Sequence, residues 1–301
     1  MGCSEDSKEG KYDFFDKILE YIKKADNAKI DSISGVDYSC CNSFSSIMKS
    51  KLKTEENAKS ICKQFIKLHK SLTHIEEQSN DHNYKKDSSF LNYWVNTVIR
   101  ENRTYDQYCI HDFTHDMENH CMISLTVYDL SELVYDIKGD DFNKINILYN
   151  LYVNYDKLKN GLSTLSEENK SSLLPYSNEC NKLYRKAETM HNDQKTTFYE
   201  KLTKFTSEYK ELYPEFEEKE NKFSIYFKRL SDNPNNIITT SVLGSLVGLI
   251  PFMGILYKFT PMGQFFRSKN KKFAEEYGNN DDNQISLQQD RYNIKYHSVA
   301  E

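Results

Sequence analysis

Apolar side chains recur at steps of three and four along most of residues 1–236. This spacing places them on one face of an α-helix. The clearest run follows Thr54, where Glu55 and Glu56 suit the positive end of a helix dipole. The face that we expect to be buried consists of Ala58, Ile61, Cys62, Phe65, Leu68, Leu72 and Ile75. The pattern therefore predicts an amphipathic helix after Thr54.

The same periodicity predicts further helices on both sides of this one. Gly139 is expected to end one of them, because glycine readily adopts the backbone conformation of a helix C-cap. Pro214 is expected to interrupt the last apolar seam, since proline removes a donor and clashes with the preceding turn. The predicted helical runs are 14–22, 88–102, 130–137, 145–152 and 198–212, with a stalk over 215–230.

The composition narrows the fold class. The chain of 301 residues contains 10 glycines and 5 prolines, which is few for the turns of a sheet protein or for a glycine-rich nucleotide loop. We therefore expect an all-α, multi-helix fold. A net charge of −5 argues against a general nucleic-acid binder.

Residues 237–257 differ sharply from the rest of the chain, because they contain no charged side chain in 21 positions. A helix of this length crosses a hydrocarbon layer of about 30 Å. A buried core helix is the alternative, although such helices are usually shorter. No apolar signal segment is visible near the N-terminus. The sequence therefore predicts a single C-terminal transmembrane helix.

The flanks of this span predict its orientation. Basic residues and no acidic one follow it as far as position 272, so the positive-inside rule places the C-terminus in the cytoplasm. All seven cysteines precede the span, as expected for a domain in an oxidising compartment. The topology-setting residues are Lys258, Arg267, Lys269, Lys271 and Lys272. The expected layout is a helical ectodomain over 1–230, a juxtamembrane linker over 231–236, the transmembrane helix over 237–257 and a short, mostly disordered cytoplasmic tail over 258–301.

Two features of the predicted membrane segment bear on partners. Gly244 and Gly248 form a G-x-x-x-G pair that would let two such helices approach closely, so self-association through this face is possible. The basic residues after the span would alternatively hold anionic lipid head groups. Membrane lipid is therefore an expected partner, and fixing the topology is the plainer role of the basic residues.

Six of the seven cysteines can form three bridges if the domain is extracellular. Cys3 is expected to be the unpaired one, because it lies in a polar terminus with nothing to pack against. Many connectivities are open, and the sequence alone does not choose among them. Among them, we expect Cys109 and Cys121 to be partners. The disulfide candidates are Cys40, Cys41, Cys62, Cys109, Cys121 and Cys180.

From Cys109 to Cys121 the chain reads CIHDFTHDMENHC. His111 and His115 keep the spacing with which H-E-x-x-H proteases bind zinc, but Asp112 replaces the glutamate that acts as general base. A structural zinc site formed with Cys109 and Cys121 is a second possibility, although its spacing differs from the usual half-sites. We favour a solvated helix or loop that carries disulfide cysteines. The sequence therefore predicts no metal, no cofactor and no enzymatic activity.

Three segments together resemble the Plasmodium interspersed repeat family, the PIR or VIR proteins. The span and the residues after it, SVLGSLVGLIPFMGILYKFTPMGQFFRSKNKK, are similar to the C-terminal anchor of that family. FLNYWVN, residues 90–96, resembles its L-x-Y-W element, and YSNECNKLY, residues 176–184, its cysteine-bearing aromatic helices.

The resemblance implies a variant surface antigen of a malaria parasite, exported to the infected red cell and serving in adhesion and immune evasion. It brings no catalytic residue. An intracellular membrane tether or trafficking adaptor is the alternative, and a metal-dependent hydrolase is a distant one. The sequence does not identify the host receptor or antibody. Binding is expected in exposed loops, for which the polar segments 34–53 and 76–89 are the candidates.

Overall fold

In the computed structural model the chain divides into two units, Met1–Thr239 and Thr240–Glu301. The second unit lies outside the described residues, and so do the predicted linker, span and tail with Gly244, Gly248 and the topology-setting basic residues. No helix within the described part of the chain is long and apolar enough to cross a membrane. The structure describes residues 3, 5–6, 10–30, 37–76, 81–125, 129–164, 170–190, 195–214 and 227–230.

These residues are mostly helical, in agreement with the predicted class. The α-helices are α1 Ile18–Ala28, α2 Cys40–Met48, α3 Glu55–Ser71, α4 His82–Asn102, α5 Ile110–Cys121, α6 Gly139–Ser163, α7 Leu174–Glu188 and α8 Thr197–Lys210. The remaining elements are the 3-10 helices Asp13–Lys17, Met122–Ser124, Leu130–Glu132 and Lys170–Leu173, and the strands β1 Glu5–Asp6 and β2 Asp136–Ile137.

The prediction for α3 is confirmed. Thr54 is its N-cap, and the hydroxyl oxygen accepts a hydrogen bond from the N–H of Asn57 at 3.1 Å. This bond satisfies one of the donors that the start of a helix leaves without a partner. All seven residues of the predicted face are buried, although Leu72 and Ile75 lie beyond the last helical residue.

Helix α4 lies against the N-terminal segment through aromatic rings. Phe14 stacks on Tyr93 with 5.5 Å between ring centroids, and Tyr21 lies 4.7 Å from Phe90. The Tyr21 hydroxyl also donates to Asp87 Oδ1 at 2.6 Å, so a buried carboxylate of α4 has a partner. Large aromatic side chains contribute much of the apolar area that a core buries. The packing therefore attaches the first helix firmly to α4.

The predicted helix over 130–137 is wrong. This segment forms a short 3-10 helix and then the strand β2, and Gly139 begins α6 instead of ending a helix. The apolar residues of the run are nevertheless all buried, namely Leu130, Leu133, Val134 and Ile137. The pattern thus identified which side chains enter the core but not the backbone conformation that carries them.

Hydrogen bonds with side chains of α4 explain why the backbone of residues 135–137 is extended. The N–H groups of Tyr135 and Ile137 donate to Asn92 Oδ1 and Asn96 Oδ1 at 3.0 and 3.1 Å. Asn96 Nδ2 donates to Tyr135 O at 2.8 Å, and the Arg100 guanidinium donates to Ile137 O. Because buried backbone groups require partners, these bonds stabilise a strand where a helix would have bonded internally.

The two predicted loop segments are also partly wrong. Residues 34–53 contain α2, and residues 76–89 contain the first turns of α4. In α2, the buried Cys41, Phe44 and Met48 are three and four positions apart, a short apolar face among three serines and one asparagine. The length of this run is too small for the pattern to stand out from its polar surroundings.

The apolar seam over 198–212 is confirmed, since Phe198, Leu202, Phe205, Tyr209 and Leu212 are all buried. The predicted stalk is contradicted at residues 227–230, which are not helical and contact α7 and α8. Tyr209 donates to Lys228 O at 2.9 Å and stacks on Phe227, and Asn181 Nδ2 donates to Arg229 O at 2.8 Å. This segment therefore belongs to the core of the domain.

Candidate functional site: a cysteine cluster joining three helices

Three disulfides cross-link the N-terminal half of the domain. They join Cys3 to Cys109, Cys40 to Cys121 and Cys41 to Cys62, with sequence separations of 106, 81 and 21 residues. Their Cα atoms lie 5.4, 5.2 and 5.6 Å apart, within the ordinary range for a bridge. Cys180 is free and buried.

Two predictions about individual cysteines are wrong. Cys3, expected to be unpaired, is bridged to Cys109. Cys180, a disulfide candidate, faces α6 from α7 and its thiol donates to Leu151 O at 3.8 Å. Burial raises the pKa of the Cys180 thiol well above its ordinary value. Cys180 is therefore an inert core residue, because the thiolate is the reactive form of cysteine.

The expected Cys109–Cys121 bridge is also wrong, and helix geometry gives the reason. Cys109 is the N-cap of α5 and Cys121 is its last residue. At a rise of about 1.5 Å per residue, the two ends of this helix lie roughly 18 Å apart. A disulfide requires Cα atoms within about 7 Å. Each cysteine therefore pairs with a different part of the chain.

The Cys3–Cys109 bridge lies next to a short parallel pairing of β1 and β2, with Glu5 opposite Asp136. Asp136 is buried, and its Oδ2 accepts from the N–H of Ile110 at 3.1 Å at the start of α5. Burial, the largest influence, raises the pKa of Asp136, while this N–H donor acts in the opposite direction. The bridge and the carboxylate together fix the N-terminal strand and α5 to β2.

The histidines of the segment between Cys109 and Cys121 do not converge on a metal-binding group. His111 and His115 are exposed, and no His side chain belongs to either metal-competent group found within the described ranges. Asp112 accepts a hydrogen bond from the N–H of Cys109 at 3.1 Å and so caps α5. The residue at the position of a protease general base therefore has a structural role in the helix.

The other two disulfides bring four sulfur atoms together. Cys62 Sγ lies 3.7 Å from Cys121 Sγ, although neither is bonded to the other. The Sγ atoms of all four cysteines lie within 4.8 Å of one another. Cys41, Cys62 and Cys121 are at most 1% exposed, and Cys40 is half-buried. We call this group the sulfur cluster: Cys40, Cys41, Cys62 and Cys121.

The sulfur cluster joins three helices. Cys40 and Cys41 are the first two residues of α2, Cys62 lies within α3 and Cys121 ends α5. Buried aromatic rings connect the same helices, since Phe44 lies 6.1 Å from Phe113 in an edge-to-face contact. Cys40 Sγ also lies 3.7 Å from Ser124 Oγ, at the less buried side of the cluster. The cluster is therefore a junction within the core with one partly open side.

Sequence reasoning missed this junction, although one signal pointed to it. Cys62 stands on the predicted buried face of α3, so its partner had to be another inward-facing cysteine. Cys41 meets that condition through the short apolar face of α2, which was not recognised. Asn92 and Asn96 were also missed; both fall inside FLNYWVN, one helical turn apart.

The fold and the cluster define a class of protein, a helical domain cross-linked by disulfides. Residues 7–221 match the family model described as Plasmodium vivax Vir protein. The match covers more than half of the chain, and the chain belongs to this family. The predicted family is thereby confirmed, and membership supports a Plasmodium variant antigen. No curated protein and no solved structure matches the chain.

Proposed function

We propose that the chain is a membrane-anchored variant surface antigen of a malaria parasite, exported to the infected red cell, with a role in adhesion and immune evasion. Membership in the Vir family over residues 7–221 is the observation that carries the proposal. The domain acts by binding and not by catalysis. Its partners are membrane lipid and a host receptor or antibody, and they do not include nucleic acid.

The disulfides support exposure of the domain outside the cytoplasm. Structural disulfides persist in oxidising compartments, whereas cytosolic thiols are kept reduced. Three bridges cross-link the part of the chain from Cys3 to Cys121, and two of them join residues that are 106 and 81 positions apart in the sequence. A domain with this framework suits the cell surface.

The anchor in this proposal is the uncharged segment 237–257. The basic residues that follow it hold the C-terminus in the cytoplasm of the host cell. Gly244 and Gly248 provide a face on which two spans associate. These assignments derive from the sequence of a segment outside the described residues.

Protease treatment of intact infected cells tests the proposal. The full chain is expressed with a C-terminal epitope tag, the cells are treated with trypsin, and reduced samples are probed for the tag and for the helical domain. We expect loss of the domain signal and survival of a short tagged fragment. In the matched permeabilised sample both signals should disappear. Full protection in intact cells would instead support the intracellular tether.

A charge variant tests the orientation separately. The substitutions Lys258→Gln, Arg267→Gln, Lys269→Gln, Lys271→Gln and Lys272→Gln remove the basic excess after the span. Because this excess sets the orientation, we expect a smaller fraction of molecules with a protected tag. The control replaces the three basic residues upstream of the span, Lys222, Lys228 and Arg229. It should not lower the fraction of molecules with a protected tag. An unchanged fraction in the first variant would contradict the proposed topology.

A further inference from the structure

We propose that the sulfur cluster is a four-thiolate zinc site in the reduced chain. In this state Cys40, Cys41, Cys62 and Cys121 bind one Zn²⁺, which joins α2, α3 and α5 in place of the two disulfides. This site goes beyond the antigen function and does not depend on it. It concerns the chain before its cysteines are oxidised.

The four sulfurs lie close enough together to form a tetrahedral zinc site once reduction lets the two bonded pairs separate. Zinc–sulfur bonds of about 2.3 Å place neighbouring sulfurs of a tetrahedron about 3.8 Å apart. Cys62 Sγ and Cys121 Sγ, which are not bonded to each other, already lie 3.7 Å apart. All four Sγ atoms lie within 4.8 Å of one another. The folded backbone therefore presents four sulfur donors around one point.

The chemistry of the donors selects the metal. Four thiolates in a tetrahedral arrangement are typical of Zn²⁺ or an iron–sulfur cluster, and sites of zinc with four protein ligands are structural. Three of the four sulfurs belong to side chains that are at most 1% exposed, so little water reaches them. Cys40 and Cys41 lie in the first turn of α2, where the helix dipole favours thiolates. A single zinc ion fits this closed environment.

The ligand spacing explains why the site is not visible in the sequence. Cys40 and Cys41 are adjacent, and Cys62 and Cys121 are 59 residues apart. The usual zinc half-site has two to four residues between its cysteines. Here three separate helices supply the ligands, so only the folded arrangement reveals the site.

Oxidation converts the zinc-bound form into the disulfide form. The four thiolates react with two molecules of a low-molecular-weight disulfide. Two protein S–S bonds form, two reagent S–S bonds break, and the reagent leaves as four thiols after taking up four protons from water. Zn²⁺ is released because no thiolate remains to bind it. Reduction of both bridges by a dithiol and loss of four protons to solvent restore the site.

Metal content of the full chain tests the proposal. The chain is purified in mild detergent under reducing conditions, with and without added Zn²⁺, and its zinc content and circular dichroism are measured. We expect roughly one zinc per chain and a helical domain. Oxidation with a low-molecular-weight disulfide should release this zinc. Substitution with Co²⁺ should give the intense visible absorption of tetrahedral cobalt and sulfur-to-cobalt charge transfer.

Matched cysteine variants assign the ligands. Cys62→Ser should lose the stoichiometric zinc and the cobalt spectrum, whereas Cys180→Ser should keep both. Cys3→Ser/Cys109→Ser is the second control, since these cysteines form the other metal-competent group with Asp136. Loss of zinc in that double variant would overturn the assignment. A reduced chain that folds but takes up no stoichiometric Zn²⁺, or that stays unfolded with Zn²⁺ present, would overturn the proposal itself.

Discussion

Asn96 on α4 and Ile137 on β2 are joined by a hydrogen bond in which the N–H of Ile137 donates to Asn96 Oδ1 at 3.1 Å. The same side chain donates from Nδ2 to Tyr135 O at 2.8 Å and is fully buried. A neighbouring strand would offer the same donor and acceptor to this backbone. A helix side chain thus substitutes for the edge of a sheet.

Asn96→Leu should lower the free energy of unfolding by about 3 kcal/mol, because the buried N–H of Ile137 and the partly buried Tyr135 O both lose their hydrogen bonds to the Asn96 side chain. Asn150→Leu is the matched control, since among the described residues the Asn150 amide donates only to Asn146 of its own helix. The control should cost less than about 1 kcal/mol. Urea unfolding of the oxidised chain measures both, and equal losses would contradict the role of Asn96.

Removal of the bridge between Cys3 and Cys109 should destabilise the domain strongly. The bridge closes a loop with a sequence separation of 106 residues, and the chain-entropy relation gives about 4 to 5 kcal/mol for a loop of this size. Urea unfolding of Cys3→Ser/Cys109→Ser measures this loss. Cys180→Ala, which removes no bridge, is the control and should lose less. An unchanged free energy of unfolding in the double variant would contradict the structure.

Cys180 should resist alkylation in the folded, oxidised chain. It is fully buried, and burial raises its thiol pKa, so both access and thiolate formation are suppressed. We expect no maleimide incorporation in the native chain and one equivalent after unfolding in urea. The control is Cys3→Ser, which leaves the half-buried Cys109 without its partner and should incorporate maleimide before unfolding. Native labelling of Cys180 would contradict its place in the core.

His69 should make the domain sensitive to acid. Within the described residues neither ring nitrogen has a hydrogen-bond partner, and the side chain is 1% exposed. Burial, the largest influence, lowers the pKa of His69 to about 4. The unfolded chain takes up this proton near pH ~6.5, and the folded chain only near the lower value. The stability that the neutral ring contributes is therefore fully present above about pH 6.5. It is lost as the pH falls from there to about 4.

The substitution His69→Phe tests this dependence. The ring lies 6.0 Å from Phe65, so phenylalanine keeps an aromatic contact without a titrating group. Between about pH 7 and about pH 4.5, the native chain should lose roughly 2 to 3 kcal/mol more than this variant. His115→Gln, at an exposed position, is the control and should behave as the native chain does. An identical pH dependence in His69→Phe would show that His69 is not responsible.

Helical periodicity was sufficient for elements that pack along one continuous face. Its predictions of α3 and of the seam in α8 hold because many residues at steps of three and four share one environment. It failed at β2, whose hydrogen-bond partners Asn92 and Asn96 lie about forty residues earlier in the chain. It also failed at α2, which is short and is held against α3 and α5 by two disulfides.

The disulfide pairing could not be predicted for a related reason. Two of the three bridges join residues separated by 81 and 106 positions, and no local pattern connects such residues. The Cys109–Cys121 pairing could have been excluded, because a helix over residues 110–121 keeps these two cysteines too far apart for a bridge. The exclusion does not follow as long as both a helix and a loop remain open for this segment.

The three bridges overlap along the chain so that every peptide bond from Cys3 to Cys121 is spanned by at least one of them. A single proteolytic nick anywhere in this stretch therefore leaves the two pieces covalently joined. A nick beyond Cys121 has no such protection and severs the chain. A host protease acting on the first stretch would not shed a fragment, and the damage would become visible only after reduction.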